Sequence, residues 1–271
     1  MKTLLDIPEA IQKDMSADAA FEEMMQLKGE AFRDMPGRLT LKLALNNESY
    51  FIKQHFGVGW LEIFKNLLSF KWPIIGAETE WNAIKKLNAL GIPTTPLVGY
   101  GKRGCNPATM QSFVLTKDLG DITSLETLCA DWKQNPPMLK FKRDLIKEVA
   151  RIAKTLHGNG MNHRDFYICH FCLDNPKLRQ GELCLYLIDL HRVGIRPKIT
   201  HSAKLKDLAG LYFSAMDIGL TKRDYLRFLR DYCDDLREDF LDNKTFWNKI
   251  EARALKLHAK YQRKISSGEK L

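Results

Sequence analysis

The residues best suited to chemistry are two aspartates and a histidine in the second half of the chain. Asp165 ends the tripeptide His163-Arg164-Asp165, and His170 follows it after four residues. Asp189 comes directly after an apolar run that is typical of a buried strand. One carboxylate could accept a proton from an attacking hydroxyl group, and a second, beside an imidazole, could hold a metal ion. The alternative is that both aspartates only cap loop ends, which is a common role of Asp.

These residues follow the order of the protein-kinase catalytic loop, in which His-Arg-Asp is followed after four residues by Asn. His170 stands at the position of that Asn. Asp189 stands where kinases carry the metal-binding Asp of their D-F-G motif. The order therefore predicts Asp165 as the catalytic base, with His163 and Arg164 beside it, and predicts Asp189 and His170 as ligands of Mg²⁺ or Mn²⁺.

His170 is the residue that differs from the kinase pattern. Asn offers a metal ion a hard oxygen, whereas imidazole offers a nitrogen that suits Mn²⁺ better than Mg²⁺. Two interpretations stay open for this side chain. It either binds the metal, or it points into the catalytic loop and donates a hydrogen bond to a backbone carbonyl, which leaves Asp189 as the protein ligand.

The elements that must position a nucleotide lie in the first third of the chain. Alternating leucines predict a strand over residues 39–45, Asn46-Asn47 suits a tight turn, and residues 49–53 predict a return strand that ends at Lys53. Protein kinases carry a phosphate-binding lysine at this place. The plain alternative is a solvated lysine on an edge strand.

A partner for Lys53 is predicted in the next helix but one, over about residues 77–90. Glu80 is the expected partner, and Glu78 is the alternative. Because a glutamate on a helix is usually a surface charge, this pairing rests on the order of the elements alone.

The sequence indicates other nucleotide-binding residues less clearly. In place of the glycine-rich loop of protein kinases, the chain has Arg33–Arg38 with one glycine and one proline, so either terminal arginine of this stretch is expected to help neutralise phosphate. A later segment that includes Lys117 and Leu119 is expected to link two lobes and to face adenine with its backbone groups.

The length of 271 residues exceeds that of a usual single domain, so we expect two lobes or two closely packed domains. In the order of the protein-kinase motifs, the lobes of such an α+β chain would be residues 1–118 and 119–271. Lys and Arg outnumber Asp and Glu 42 to 33, which gives a formal charge of +9. A polyanionic partner fits this charge: nucleotide phosphates, an anionic membrane, an acidic glycolipid or nucleic acid. The absence of a secretory signal and of a long apolar run predicts a cytosolic protein without a transmembrane helix.

Six cysteines are scattered along the chain and are expected to be reduced. Cys169 and Cys172 form a C-x-x-C pair that could hold zinc or undergo redox chemistry. Two thiols alone cannot supply four tetrahedral ligands, and the sequence offers no second Cys or His pair at a suitable spacing. Buried structural cysteines are therefore expected.

Helical segments elsewhere carry further expectations. Residues 1–29 are expected to form a helical lead-in to the first lobe. The amphipathic segment 57–72 is expected either to pack on that lobe or to lie on a membrane surface. The basic helix 244–264 is either a solvated face or a contact for an anionic partner. Asp207, in a helix predicted over residues 204–216, is expected either to hydrogen-bond the catalytic loop or to lie on the surface.

Several segments together resemble the lipopolysaccharide core heptose(I) kinase family, also called WaaP or RfaP. The resemblance covers nearly the whole chain, and its run N-H-R-D-x-Y-I-C-H-F over residues 162–171 is highly specific. The other segments are Tyr50-Phe51-Ile52-Lys53, Glu80-Trp81, Ile188-Asp189-Leu190-His191-Arg192, Lys206-Asp207-Leu208 and Leu211-Tyr212-Phe213-Ser214. Phe166 stands where the family usually has Cys. Cys172 and Asp174 lie in a segment that is often rich in Leu and His in the family. None of these three positions has a catalytic role in the family pattern.

The resemblance implies a protein-kinase-like bilobal fold with a small β-rich N-terminal lobe and a larger, mainly helical C-terminal lobe. It implies an enzyme that uses ATP and Mg²⁺ to phosphorylate the first heptose of the lipopolysaccharide inner core, at the cytoplasmic face of the inner membrane of a Gram-negative bacterium. Its partners would be the inner-core glycolipid, the anionic membrane and an acyl carrier protein, with no nucleic acid. The rival interpretations are a kinase of another core sugar or of protein Tyr or Ser, and a non-catalytic kinase-like binding module.

Overall fold

The computed structural model describes residues 3–12, 15–45, 48–68 and 75–268, which fall into two units. The N-terminal unit contains the described residues up to Ala89, then Thr94–Gly120 and Leu190–Arg192. The C-terminal unit contains Leu90–Pro93, Asp121–Asp189 and the described residues from Val193 onward. The predicted lobes, 1–118 and 119–271, stay a prediction.

An antiparallel sheet of six strands forms the centre of the N-terminal unit. The strands are β1 (Thr3–Asp6), β2 (Glu30–Met35), β3 (Arg38–Leu45), β4 (Glu48–His55), β5 (Leu97–Arg103) and β6 (Gln111–Lys117). Their spatial order is β1-β5-β6-β4-β3-β2, so β4 lies inside the sheet between β6 and β3. The strand that carries Lys53 is therefore not an edge strand. The turn predicted at Asn46-Asn47 lies outside the described residues.

Helix α2 covers one face of this sheet. The helices of the unit are α1 (Glu9–Gln12), α2 (Ala17–Gln26), α3 (Gly59–Leu68) and α4 (Glu78–Ala89). Phe21, Met24 and Met25 recur at helical spacing on α2 and are buried against leucines of β3 and against Phe113 and Leu115 of β6. The opposite face of the sheet carries Arg38, Thr40 and Lys42 of β3, Lys53 and His55 of β4, and Ser112 and Thr116 of β6.

The predicted helical lead-in over residues 1–29 is wrong at its start. Thr3–Asp6 forms strand β1, which pairs antiparallel with β5. An edge strand of four residues is stabilised by its neighbour's hydrogen bonds and not by local propensity, so a single segment of sequence does not reveal it. The remainder of the stretch contains α1 and α2, as the helical prediction requires.

Helices dominate the C-terminal unit. Its elements are β7 (Ile122–Ser124), α5 (Leu125–Leu128), α6 (Leu139–Gly158), β8 (Met161–Asn162), β9 (Phe171–Asp174), α7 (Asn175–Arg179), β10 (Leu185–Leu187), β11 (Gly194–Ile195), α8 (His201–Ser214), α9 (Lys222–Tyr232) and α10 (Lys244–Ser266). Helix α6 packs against α9, and α8 packs against α10. Leu145, Val149, Ile152 and Leu156 form the buried stripe of α6 that their spacing predicts.

Two short ladders frame the loop that follows α6. Strand β8 pairs with β11, and β9 pairs with both β7 and β10. Gly160 leads into β8 with a φ of 72°, and a Cβ there would lie 1.9 Å from the carbonyl oxygen of Arg196. A residue other than glycine would therefore separate the start of the predicted catalytic loop, residues 163–170, from the strand beside it.

Candidate active site

Lys53 and Glu80 form an ion pair in the N-terminal unit. The Lys53 ammonium lies 2.6 Å from Glu80 Oε1, and Glu80 is buried on the first turn of α4. Glu78, the alternative partner, pairs instead with Lys102 at 2.6 Å. The predicted pairing of Lys53 with Glu80 is confirmed. Since β4 is an inner strand, the interpretation of Lys53 as a solvated edge residue is wrong.

Three rows of side chains cross the sheet face that carries Lys53, because cross-strand partners share a face. The rows are Arg38–His55–Ser112, Thr40–Lys53–Val114 and Lys42–Phe51–Thr116. The Phe51 ring also lies 5.4 Å from the ring of Phe32 on β2, in an edge-to-face arrangement. This face therefore runs from cations near the β2–β3 turn to aromatic rings at its other end, which suits a ligand with phosphates at one end and a base at the other.

The β2–β3 hairpin stands where protein kinases have a glycine-rich loop. Gly37 in its turn has a φ of 74°, and a Cβ there would lie 2.7 Å from the carbonyl oxygen of Gly57. Only glycine is therefore suited to this turn. Arg38 is half-buried directly after the turn, whereas Arg33 is exposed on β2.

The segment predicted to face adenine has several of its groups already engaged. The Lys117 amide donates to the carbonyl of Pro96 at 2.9 Å, and its ammonium lies 2.5 Å from Glu48. The Asp118 amide donates to the carbonyl of Ser49. Lys117 could thus offer a ligand its carbonyl group but not its amide or ammonium. The contacts of Lys117 and Leu119 with adenine stay predictions.

A buried aspartate fixes the catalytic loop in the C-terminal unit. Asp207, on α8, accepts hydrogen bonds from the amides of His163 at 2.6 Å and Arg164 at 2.9 Å. His157 lies 3.4 Å from the same carboxylate, and its other ring nitrogen lies 2.8 Å from the Tyr232 hydroxyl. The interpretation of Asp207 as an anchor of the loop is confirmed, and the surface alternative is wrong.

Arg164 and Asp189 have left-handed backbone conformations, with φ angles of 72° and 62°. A side chain in this region costs roughly 1–2 kcal/mol, and such strain concentrates at functional sites. The bond from the Arg164 amide to Asp207 holds the first of these conformations. The strain therefore marks the same two segments that the sequence motifs single out.

His163 positions the loop from inside the unit. It is fully buried, and burial lowers the pKa of its imidazole, so the ring is neutral at physiological pH. Its Nε2 donates to the carbonyl of Ile188 at 2.9 Å, which ties the catalytic loop to the residue before Asp189. Because the side chain is buried, its contribution is to position other groups and not to touch substrate.

His170 makes the backbone hydrogen bond of one interpretation and faces Asp189 as the other requires, and its role as a metal ligand stays a prediction. Its Nδ1 donates to the backbone carbonyl of Asp165 at 2.6 Å, and its Nε2 lies 3.5 Å from Asp189 Oδ2. The first bond places the proton of the neutral ring on Nδ1, so Nε2 turns its lone pair toward the Asp189 carboxylate. Two facing acceptors of this kind fit a divalent cation.

A metal held by His170 and Asp189 would need further ligands from a bound molecule. Within the described ranges no group of three or more His, Cys, Asp or Glu side chains could hold a metal ion. This agrees with Mg²⁺ chemistry, in which one or two protein ligands share the ion with phosphates and water.

Helix α8 also contacts the loop at two small residues that the motif search did not single out as functional. A Cβ on Gly210 would lie 3.1 Å from Tyr167 Cε1 and 3.2 Å from the Phe166 carbonyl oxygen. Ser214 Oγ accepts a hydrogen bond from the Ile168 amide at 3.0 Å. The sequence feature that could have identified Gly210 is its position inside a predicted helix, because a glycine there often indicates close packing.

An apolar cavity of about 800 Å³ lies in the C-terminal unit. Helices α6, α8, α9 and α10 line it, with Leu145, Leu211, Leu229, Trp247 and Ile250 among the lining residues. Sequence periodicity identifies such residues as inward-facing but does not report the space left between the helices.

The C-x-x-C pair has the character of structural thiols. All six cysteines are free, Cys172 is buried and Cys169 is half-buried. Burial raises the pKa of both thiols to about 11, so they are protonated at neutral pH and poorly nucleophilic.

Helices able to cross a membrane are absent from the part of the chain that the structure describes.

Comparison with known proteins yields one consistent group. Residues 22–232 match the lipopolysaccharide kinase (Kdo/WaaP) family. A relative from Escherichia coli K12 named lipopolysaccharide core heptose(I) kinase WaaP is 43% identical over 263 residues, which is 96% of this chain and 99% of the relative. A relative of the same name from Pseudomonas aeruginosa is 44% identical over 245 residues, which is 90% of this chain and 91% of the relative.

A solved structure supports the same grouping. The structure of WaaP in complex with acyl carrier protein has 37% sequence identity and a TM-score of 0.80, and the match covers 95% of this chain and 100% of that chain. The prediction of an α+β, protein-kinase-like fold is confirmed.

Proposed function

The chain belongs to the lipopolysaccharide kinase (Kdo/WaaP) family, and we propose that it uses ATP to phosphorylate the first heptose of the lipopolysaccharide inner core. One observation carries the choice of substrate: relatives that match 90% or more of the chain at 43–45% identity all bear the name lipopolysaccharide core heptose(I) kinase. The site residues support the same chemistry, because Asp165 suits the role of a base, Asp189 and His170 suit a metal ion, and Lys53 suits a phosphate group.

Asp165 is the proposed catalytic base. It follows two residues whose amides are held by Asp207, and its own carbonyl is held by His170, so its carboxylate stands on a fixed loop. We assign it the proton of the heptose hydroxyl, which it accepts as the hydroxyl oxygen attacks the γ-phosphorus of ATP. The bond from that phosphorus to the β–γ bridging oxygen breaks, and ADP leaves. Positioning of this kind supplies most of the catalysis in phosphoryl transfer.

Asp189 and His170 are the proposed holders of Mg²⁺, with Mn²⁺ as the alternative that an imidazole ligand favours. The metal ion, when bound, neutralises negative charge on the phosphates. The hydrogen bond from His170 Nδ1 to the Asp165 carbonyl keeps Nε2 as the ligating atom and links the metal pair to the base.

Lys53 is the proposed cation for the inner phosphates of ATP, with Glu80 holding its ammonium in place. The half-buried position of the lysine strengthens its interaction with an anion relative to a fully solvated lysine. The backbone of Leu119 and the carbonyl of Lys117 are the proposed contacts for adenine.

Mass spectrometry of the acceptor tests the proposed reaction. The purified protein, ATP and Mg²⁺ are incubated with core glycolipid from a strain that lacks its heptose(I) kinase. We expect one phosphate to be added, located on heptose I by fragmentation. A glycolipid truncated before heptose I serves as the control and is expected to stay unmodified. Addition of phosphate to another sugar, or to none, would contradict the substrate assignment.

We further propose an acyl carrier protein as a partner. The described part of helix α10 carries seven basic residues and one acidic residue: Lys244, Lys249, Arg253, Lys256, Lys260, Arg263 and Lys264 against Glu251. An acidic carrier suits this surface, and the apolar cavity beside α10 has room for an acyl chain.

Native mass spectrometry with acylated and unacylated carrier protein tests this partnership. We expect the acylated form to bind more tightly, and we expect Leu220→Trp, which narrows the cavity, to remove that difference. Lys140→Ala, an exposed cation on α6, is the control that should bind like the parent. Equal binding of both carrier forms by the parent would exclude the cavity from the interaction.

We also propose that α3 brings the protein to the membrane that holds its acceptor. Of the predicted apolar stripe, Ile63 is buried, Trp60 and Phe64 are about half exposed and Leu68 is 82% exposed. Leu61, beside the stripe, is 89% exposed, so much of this helix face is not packed. Residues 69–72 of the predicted segment lie outside the described residues. An exposed apolar and aromatic helix face suits the lipid interface.

Liposome flotation tests the membrane proposal. We expect Leu61→Glu to reduce flotation, whereas Leu139→Glu, a similarly exposed leucine on α6, should float like the parent. Flotation that is equal for the two variants would exclude α3. Flotation that is indifferent to anionic lipid and to salt would exclude the electrostatic contribution of the basic surface.

A further inference from the structure

A cationic patch adjoins Lys53 on the sheet face of the N-terminal unit. Arg38 and His55 are cross-strand partners on β3 and β4, one row from Thr40 and Lys53. Cross-strand partners have Cβ atoms about 5 Å apart, and residues two positions apart on one strand lie about 7 Å apart. The side chains of Arg38, Lys53 and His55 therefore leave the same face of the sheet within a few ångströms of each other.

His55 is the unusual member of this patch. It is only 2% exposed, and its Nδ1 has no hydrogen-bond partner in the described part of the chain. Buried polar nitrogens are nearly always paired, and the Nδ1 of His163 is another exception among the described residues. At His55 the neighbouring Arg38 and Lys53 make an anionic ligand the fitting partner. Burial, together with the nearby charges of Arg38, Lys53 and His191, lowers the pKa of His55 to about 3. The ring is thus neutral at physiological pH and can donate one N–H group.

The β2–β3 turn offers few backbone amides to a phosphate group, so side chains near it would have to supply the donors. Glycine-rich loops bind phosphates through successive backbone amides. This turn consists of Pro36, which has no amide hydrogen, and Gly37, so it supplies fewer such donors. Arg38 and His55 lie directly beside the turn. Their donors stand where those of a glycine-rich loop would be.

We propose that Arg38 and the unpaired Nδ1 of His55 bind the terminal phosphates of ATP in place of the amides of a glycine-rich loop. Phe51, Lys53 and His55 alternate along β4 on one face, so they follow the order of base, inner phosphates and outer phosphates. A guanidinium group and a neutral N–H donor beside Lys53 suit the most highly charged end of the nucleotide. This inference rests on the proposed function only in taking ATP as the ligand.

Calorimetric titration with ATP and with AMP tests the assignment, because AMP lacks the outer phosphates. We expect Arg38→Ala and His55→Leu each to weaken ATP binding about tenfold or more while AMP binding stays within about twofold of the parent. His55→Asn, which keeps an N–H donor near the place of Nδ1, should recover most of the ATP affinity. Lys28→Ala, an exposed cation before β2, is the charge-matched control and should bind both nucleotides like the parent.

Thermal melting first establishes that each variant is folded. If His55→Leu does not fold, the binding data for Arg38→Ala decide the outcome. ATP affinity unchanged in Arg38→Ala would overturn the proposal, as would equal losses for ATP and AMP. A raised KM for the glycolipid with unchanged ATP affinity would also overturn it, since the patch would then serve the acceptor. These titrations contain no sugar, so a failure of the heptose assignment leaves their outcome unaffected.

Discussion

The two units of the molecule hold their proposed functional residues in different ways. The C-terminal unit fixes its catalytic loop through the backbone, with Asp207 buried between two amides and His157. The N-terminal unit presents half-buried cations, Arg38 and Lys53, on one face of its sheet. A buried hydrogen-bond network fails as a whole when one member is removed, whereas half-buried charges contribute separately and are weakened by salt. Removal of a buried member of that network should therefore impair folding and turnover together, whereas loss of one half-buried cation should change nucleotide affinity by degrees.

The largest effect is expected for Asp207→Ala. The change leaves the amides of His163 and Arg164 buried without an acceptor, which should cost about 3–5 kcal/mol of unfolding free energy. We also expect kcat to fall much further than ATP affinity, because the loop that carries Asp165 loses its anchor. Urea unfolding and steady-state kinetics measure the two effects.

Asp217→Ala is the matched control for that variant. Asp217 follows α8 as an exposed carboxylate and lies 2.7 Å from His258, so its loss should cost less than about 1 kcal/mol. Equal destabilisation by the two variants would remove the contrast between buried and exposed anchors.

The second largest expected effect is a loss of unfolding free energy at acidic pH, caused by His55. The pKa of His55 is about 3 in the folded protein and near 6.5 in the unfolded chain, so only the unfolded chain binds a proton between these values. The stabilising contribution is complete above about pH 6.5 and falls by up to roughly 1.4 kcal/mol per pH unit below it. Melting curves at pH 7.5 and pH 5 should therefore differ less for His55→Asn than for the parent. An equal difference would show that His55 titrates normally.

Gly210→Ala should reduce turnover about tenfold while changing stability little. The added methyl group gains helix propensity but presses on Tyr167 and on the Phe166 carbonyl, in the segment that carries the base. Gly158→Ala is the control, since a Cβ on that helical glycine would meet nothing within 4 Å. Full activity in Gly210→Ala would show that the spacing between α8 and the loop is not critical.

The smallest effect is expected for His170→Asn, which restores the kinase residue. Activity should persist, and the preference for Mn²⁺ over Mg²⁺ should decrease because an oxygen replaces a nitrogen ligand. Kinetics with each metal in turn measure this ratio. A ratio equal to that of the parent would indicate that His170 only holds the Asp165 carbonyl, with Asp189 as the protein ligand.

The sequence predicted these two regions unequally. Asp165, Asp189 and Lys53 are predicted from a motif in which residue type and order suffice. Glu80 is predicted from the place of its helix in that order, and its ion pair with Lys53 is confirmed. Asp207 was recognised only as one of two alternatives, since its burial depends on how α8 packs. His170 stayed ambiguous for the same reason: its two ring nitrogens have different partners, and spacing along the chain cannot distinguish them.

The remaining features depend on contacts between distant segments. Strand β1 is defined by its pairing with β5, and the cavity is defined by gaps between four helices. The amphipathic pattern of α3 predicted a helix correctly, but the same pattern fits a packed helix and an exposed one. The unpaired nitrogen of His55 is likewise visible only when burial and hydrogen bonds are known together.

The central claim is that Asp165 acts on the acceptor and not on ATP, and Asp165→Asn tests it most directly. ATP affinity is measured by calorimetry, and phosphate transfer to heptose I is measured by mass spectrometry on the same preparation. We expect ATP affinity within about twofold of the parent and transfer reduced at least about a hundredfold, as for loss of a general base. Transfer within about tenfold of the parent, or a parallel loss of ATP affinity, would contradict the assignment of Asp165 as the base.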